Sequence, residues 1–151
     1  MIRRRHPIRR SSRPIRRNVR PRNRRPNPKG TRAECIRYAS GLWSKLVKAK
    51  SYEGRCMRCH SRPGTDAAHG WPKGGLYAHV RLHINNGLWL CRGCHELIDR
   101  DAREKWALWA RYYTEEQREA LRREALGTAK LDLDAAILLL ESLTIETARA
   151  R

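Results

Sequence analysis

Cys56, Cys59, Cys91 and Cys94 stand as two C-x2-C pairs, with residues 60 to 90, 31 in all, between them. Each pair can turn two sulfurs towards one ion, and two such pairs make a four-thiolate set suited to tetrahedral zinc. The spacing predicts one structural Zn2+ whose binding free energy becomes folding free energy. Redox chemistry at either pair fits less well, because two pairs in a chain without export signals suit a closed site. A disulfide framework would favour an even count, whereas Cys35 is a fifth cysteine. It falls on the apolar stripe of a predicted helix and reads as a small buried hydrophobe.

Three more residues with chemical potential are arranged around this frame. His69 closes the run Asp66-Ala67-Ala68-His69, Asn86 lies five residues before Cys91, and His95 directly follows Cys94. An imidazole titrating near neutrality can accept a proton or ligate a metal. Asp99 lies four residues after His95, so a helix there would put both on one face. His79 and His83 match no such pattern and read as exposed or phosphate-contacting residues. His60, directly after Cys59, reads as a ring supporting the thiolates.

These residues need elements to hold them. Thr31-Arg-Ala-Glu34 fits a capping box, and Cys35, Ala39, Leu42, Trp43, Leu46 and Val47 recur at helical spacing, predicting a helix to about Lys50. Short strands are expected around Ala67–Trp71 and Leu88–Cys91, with Asn85-Asn86-Gly87 as a turn signal. The alternation of Leu76, Ala78, Val80, Leu82 and Ile84 suggests a further extended segment. After Cys94 the pattern turns helical. A second capping box, Thr114 to Gln117, starts a helix ending near Gly127, and another begins near Asp132 or Asp134. Trp106 and Trp109 read as core. The C-terminal leucines either finish the core or meet another chain.

The 151 residues carry 34 Lys and Arg against 15 Asp and Glu, a formal charge of +19. That balance points to a polyanionic partner, with nucleic acid the leading candidate and DNA and RNA both open. Residues 1–30 hold thirteen of the cations, no acid and five of the seven prolines, and read as a disordered arm. Arg3, Arg4, Arg5, Arg9, Arg10, Arg16, Arg17, Arg24 and Arg25 are its candidate phosphate contacts. The rest carries +21 against −15, or +6. No apolar run approaches the roughly 18 residues a membrane helix needs, and the basic start lacks the apolar segment of a signal peptide. A soluble cytoplasmic protein without membrane contact is expected. The fold expected is α+β: an arm at 1–30, a zinc-stapled domain at 31–101 with its lead-in helix, and a helical extension at 102–151.

Residues 42 to 100, with His69, Asn86 and His95 placed around the cysteine pairs, resemble the HNH endonuclease family, and in particular its zinc-bearing members from bacteriophages and bacteria. Leu42-Trp43-Ser44-Lys45-Leu46-Val47 running into Arg55-Cys56-Met57-Arg58-Cys59 is similar to the lead-in helix and first knuckle of phage members. The resemblance implies a ββα-metal fold that hydrolyses DNA phosphodiester bonds, by nicking or cleavage, with one divalent metal, Mg2+ or Mn2+. His69 would be the general base, Asn86 would orient the base and its loop, and His95, with Asp99, would hold the catalytic ion. It also implies a bacterial cytosol, with phage packaging or recombination partners. Ala68 departs from the pattern, since many members carry a metal ligand immediately before the base; Asp99, on the helix face of His95, is the first candidate to compensate, and Asp66, a full pleat repeat from position 68, is the poorer one. The alternative is therefore a non-catalytic, zinc-stabilised nucleic-acid-binding module derived from the same fold. A ribosome-associated or chromatin-like protein is a third reading, resting on the arginine arm alone.

Overall fold

The computed structural model describes residues 30–150, so the arm up to residue 29, with its nine arginine candidates, lies outside the described residues. Helix α1, Arg32–Ala49, starts where the capping box is fully formed, with Thr31 Oγ1 accepting from the Glu34 amide and the Glu34 carboxylate accepting from Thr31 N–H. It buries Ala39, Leu42, Trp43, Leu46 and Val47 along one stripe. Strands β1, Asp66–His69, and β2, Gly87–Leu90, form a two-stranded antiparallel sheet in which Asp66 pairs with Leu90 and His69 with Gly87. Helix α2, Arg92–Arg100, follows β2 directly. Then come α3, Ala102–Tyr112, α4, Glu115–Ala125, and α5, Leu133–Arg149. The result mixes helices with one small sheet.

Both C-terminal capping sites predicted from sequence are present. Thr114 and Gln117 close a second capping box at α4, and Asp132 caps α5 by accepting from the Ala135 amide. Leu133, Ile137 and Leu140 of α5 join α1, both strands and α3 in one apolar cluster, so the C-terminal helices help to build the core rather than hang from it. Cys35 packs half-buried against the same cluster.

The extended segment expected at Leu76–Ile84 is not a strand. Gly75–Val80 and Ile84–Asn86 are 3-10 turns. The alternation that suggested a strand instead divides the segment between core and solvent: Val80 and Leu82 are buried, while Leu76 is 85% exposed. Tryptophan indoles tie these loops down. Trp43 Nε1 donates to the His83 carbonyl at 3.0 Å, Trp109 Nε1 to Asn85 at 3.1 Å and Trp89 Nε1 to Gly54 at 3.0 Å. A buried indole N–H needs such an acceptor, and each bond fixes a loop that has no sheet to join. Gly87 makes one of these approaches feasible, because a Cβ there would lie 2.5 Å from Val47 and 2.6 Å from Trp43.

Candidate functional site: a tetracysteine cluster beside a histidine pair

The loop before β1 and the start of α2 bring the two C-x2-C turns together. The ligand atoms of Cys56, Cys59, Cys91 and Cys94 all lie within 4.8 Å of one another, with the Cys59 and Cys91 sulfurs 4.0 Å apart. A Zn–S length of about 2.3 Å implies a tetrahedral sulfur separation of roughly 3.8 Å, so the four cysteines could hold a metal such as zinc. The knuckle geometry supports this. The Met57 amide donates to the Trp89 carbonyl at 2.8 Å, which stitches the first turn to β2. His60 N–H donates back to the Cys56 carbonyl at 2.9 Å, and His60 itself takes a positive φ of 56° to reverse the chain.

The thiols respond to this crowding in opposite ways. Hydrogen bonding from the Ser61 side chain, aided by the Arg62 and Ser61 amides and opposed by burial, pushes the Cys59 thiol down. Burial, and hydrogen bonding with Cys91, push Cys94 up, against the pull of Arg58. A cation among the sulfurs would favour the thiolate form that metal ligation requires. Arg58, not His60, reaches a sulfur, with Nη1 3.9 Å from Cys94 Sγ, while Nη2 pairs with Glu104 at 3.3 Å. The His60 ring is exposed and faces Tyr112, whose hydroxyl also donates to the Met57 carbonyl. The support expected from His60 is thus supplied by Arg58 and Tyr112, which the sequence pattern did not single out.

His69 ends β1. Its ring stacks on Trp43, centroids 4.0 Å apart and planes 21° from parallel, and its Nε2 lies 3.0 Å from the Arg81 carbonyl oxygen. A carbonyl can only accept, so Nε2 carries the hydrogen and Nδ1 keeps the lone pair. Burial, partly offset by the Arg81 carbonyl and reinforced by the charges of Lys73, Arg81 and His95, lowers the His69 pKa to about 4. The ring is neutral at physiological pH.

Asn86 is fully buried and satisfies its whole amide within the loop that leaves β1. Its Oδ1 accepts from Trp71 N–H at 2.7 Å, and its Nδ2 donates to the carbonyls of Trp71 at 3.2 Å and Val80 at 3.1 Å. Val80 is the residue before Arg81, so Asn86 fixes the peptide segment whose next carbonyl orients His69.

His95 lies in the first turns of α2 between two carboxylates. Its Nδ1 is 3.5 Å from Asp66 Oδ2, and its Nε2 is 3.5 Å from Asp99 Oδ2. Asp66, the poorer candidate by pleat geometry, is therefore as close to His95 as Asp99 is. Each carboxylate also faces a cation, Arg92 at 3.8 Å from Asp66 and Lys105 at 3.5 Å from Asp99. Ala68, on the strand face it shares with Asp66, is completely buried and offers no ligand. Among the described residues, the cysteines alone form a set of three or more His, Cys, Asp or Glu ligand atoms close enough for one ion. His95 with one carboxylate makes a two-ligand edge. Two ligand atoms cannot enclose an ion by protein alone.

His79 and His83 serve structure. His79 Nε2 lies 2.6 Å from the Glu124 carbonyl, and His83 Nε2 lies 3.6 Å from the Glu124 carboxylate while its Nδ1 accepts from the Asn85 amide. Together they dock the loop of residues 75–86 on the end of α4. Among the described residues, no helix is long and apolar enough to cross a membrane. The chain matches no protein-family model, and no significant match was found among curated proteins or solved structures.

Proposed function

We propose that this chain is a metal-dependent endonuclease of HNH type that hydrolyses DNA phosphodiester bonds on a zinc-stapled ββα-metal core. The observation that carries the reading is the tautomer of His69. With Nε2–H committed to the Arg81 carbonyl, Nδ1 is a fixed proton acceptor on a neutral ring, as a general base requires. A pKa of about 4 describes the protein without substrate. An incoming phosphodiester anion favours the protonated ring and moves the value up towards the working pH. His69 would take the proton of the attacking water at Nδ1. Asn86, through Val80, would hold the Arg81 carbonyl that keeps the ring in that tautomer. His95, with Asp99 or Asp66, would hold Mg2+ or Mn2+, which when bound supplies charge stabilisation to the phosphorane and the leaving oxygen. The four cysteines, holding zinc, would fix the start of α2 and so the position of His95.

Two features support nucleic acid as substrate: the +19 formal charge, and the placement of Lys73 and Arg81 close enough to His69 to act on its charge. The arm's arginines would add phosphate contacts that carry no sequence information. The test is cleavage of duplex, single-stranded and branched DNA by the zinc-loaded protein with Mg2+ or Mn2+. Metal-dependent cutting that is lost in His95→Ala is the expected result. A specific observation favours the non-catalytic alternative: both carboxylates beside His95 already face a basic side chain, and Ala68 adds no third ligand. Tight binding without cleavage, unchanged by His95→Ala, would establish that alternative.

A further inference from the structure

Two residues beyond His69, an aromatic cleft opens on the surface that the proposed reaction does not use. Trp71, Trp106, Glu115, Arg118, Glu119 and Arg122 line a space of about 330 Å3. The Trp71 and Trp106 rings are 5.4 Å apart and 57° from parallel, and Tyr77 backs Trp71 at 5.0 Å. Trp106 remains 38% exposed, although Trp109, one turn further along α3, is completely buried and meets it edge-on at 6.2 Å. Trp71 is not free to rotate its backbone away, because Asn86 holds both its N–H and its carbonyl. A large ring held open at the surface of a basic chain calls for a partner with a flat face.

The charges around the rings narrow the choice. Arg118 and Arg122 are one helical turn apart on α4. Arg118 is anchored by donating to the Tyr113 carbonyl at 3.3 Å, and Arg122 pairs with Glu119 at 3.5 Å. Glu115 and Glu119 repel a phosphate inside the cleft but accept from an exocyclic amino group on a base edge. A nucleobase thus fits the interior and its flanking phosphates fit the arginines, whereas a paired base, stacked inside a duplex, cannot offer its face to a tryptophan.

We infer that the Trp71–Trp106 cleft is a stacking site for one unpaired amino-bearing nucleobase, cytosine, adenine or guanine, so that the substrate carries a single-stranded segment next to the phosphate presented to His69. The inference rests on the endonuclease reading for its partner class. It is tested by binding alone, so that its failure and a failure of catalysis are distinct.

The experiment follows tryptophan fluorescence of the full-length zinc-loaded protein, without added Mg2+ or Mn2+ and in the His69→Ala background, during titration with oligodeoxycytidylate, oligocytidylate, oligothymidylate and a duplex of equal length. Stacking predicts quenching by both cytidylates and a weaker response to the thymidylate and the duplex. Trp106→Leu should weaken cytidylate binding ~10-fold or more and leave duplex binding unchanged. Trp106→Tyr should restore most of the loss. A preference for the deoxy over the ribo oligomer assigns DNA as the source of the base, and equal affinity assigns the base itself as the ligand. The inference is overturned if Trp106→Leu, shown by its thermal transition to be folded, binds cytidylate like the parent, or loses duplex and single-strand affinity equally. If Trp106→Leu does not fold, Arg122→Gln and Glu119→Gln replace it: reduced cytidylate preference supports the site, and an unchanged preference in both overturns it.

Discussion

His69 is held by an indole on its face and a carbonyl at its edge: Trp43 stacks on its ring at 4.0 Å, and the Arg81 oxygen accepts from its Nε2–H at 3.0 Å. Trp43 belongs to the lead-in helix and Arg81 to the loop pinned by Asn86, so one imidazole reads out the relative position of two separate parts of the chain. Trp43 also donates to the His83 carbonyl, which ties the same two parts together a second time.

Replacing Trp43 should therefore damage both fold and site. Trp43→Ala removes a side chain only 2% exposed and should cost about 3–5 kcal/mol in urea unfolding. Trp43→Phe keeps a stacking ring but leaves the His83 carbonyl without its donor, and should lose less.

Asn86→Ala leaves the Trp71 amide and the Val80 carbonyl without their side-chain partner in a buried loop, and should destabilise by on the order of 2–4 kcal/mol. Asn86→Asp should be at least as harmful, because it points an acceptor at two carbonyls. Limited proteolysis within residues 70–81 should accelerate in both variants. A cleavage rate in that loop equal to the parent's would contradict the clamp.

The pH dependence of stability has a definite sign. His69 is lowered from 6.5 to about 4 in the fold, so above pH 6.5 the ring is neutral in both states and its burial carries no protonation penalty. As pH falls from about 6.5 to about 4, the unfolded chain binds a proton that the native ring refuses, and stability is lost. With zinc saturating at every pH, the slope of unfolding free energy against pH in this window should be shallower in His69→Gln than in the parent. Equal slopes would refute the lowered pKa.

Zinc removal should unfold the domain, since Met57 and Thr65 hydrogen-bond to β2 through turns that the cysteines close. A chelated sample should lose its cooperative melting transition and regain it on adding Zn2+. Retention of the transition and of helical ellipticity would show that the thiols are not the staple.

The arm predicts a salt effect. Deleting residues 1–30, with thirteen of the 34 cations, should flatten the dependence of log affinity for DNA on log salt concentration. An unchanged slope would remove the arm from the interface.

The legible parts of this fold are those governed by local rules. Capping boxes at Thr31 and Thr114, the apolar stripe of α1 and the paired cysteines depend on neighbours within a few residues, and the structure has them where spacing puts them. The loop between the strands was not legible, because the alternation of Leu76 to Ile84 is equally compatible with 3-10 turns whose apolar residues are spaced to reach the core. Distant partners were hidden for the same reason. Nothing near Asp66 in sequence announces His95, nothing near His79 or His83 announces Glu124, and Arg58 meets Cys94 only after the two knuckles close. Trp106 and Trp109 share a helical stripe in sequence, yet only Trp109 is fully covered, because the loops at Gly70 and Asn85 close over it.

Proton acceptance by His69 is tested most directly by the single-turnover rate of DNA cleavage by zinc-loaded protein with saturating Mn2+, comparing the parent with His69→Ala. Cleavage by the parent and a loss of about 10²- to 10⁴-fold in the variant, with DNA affinity retained, are expected. Equal rates in the two proteins, or no cutting by either on duplex, single-stranded or branched DNA, would contradict it.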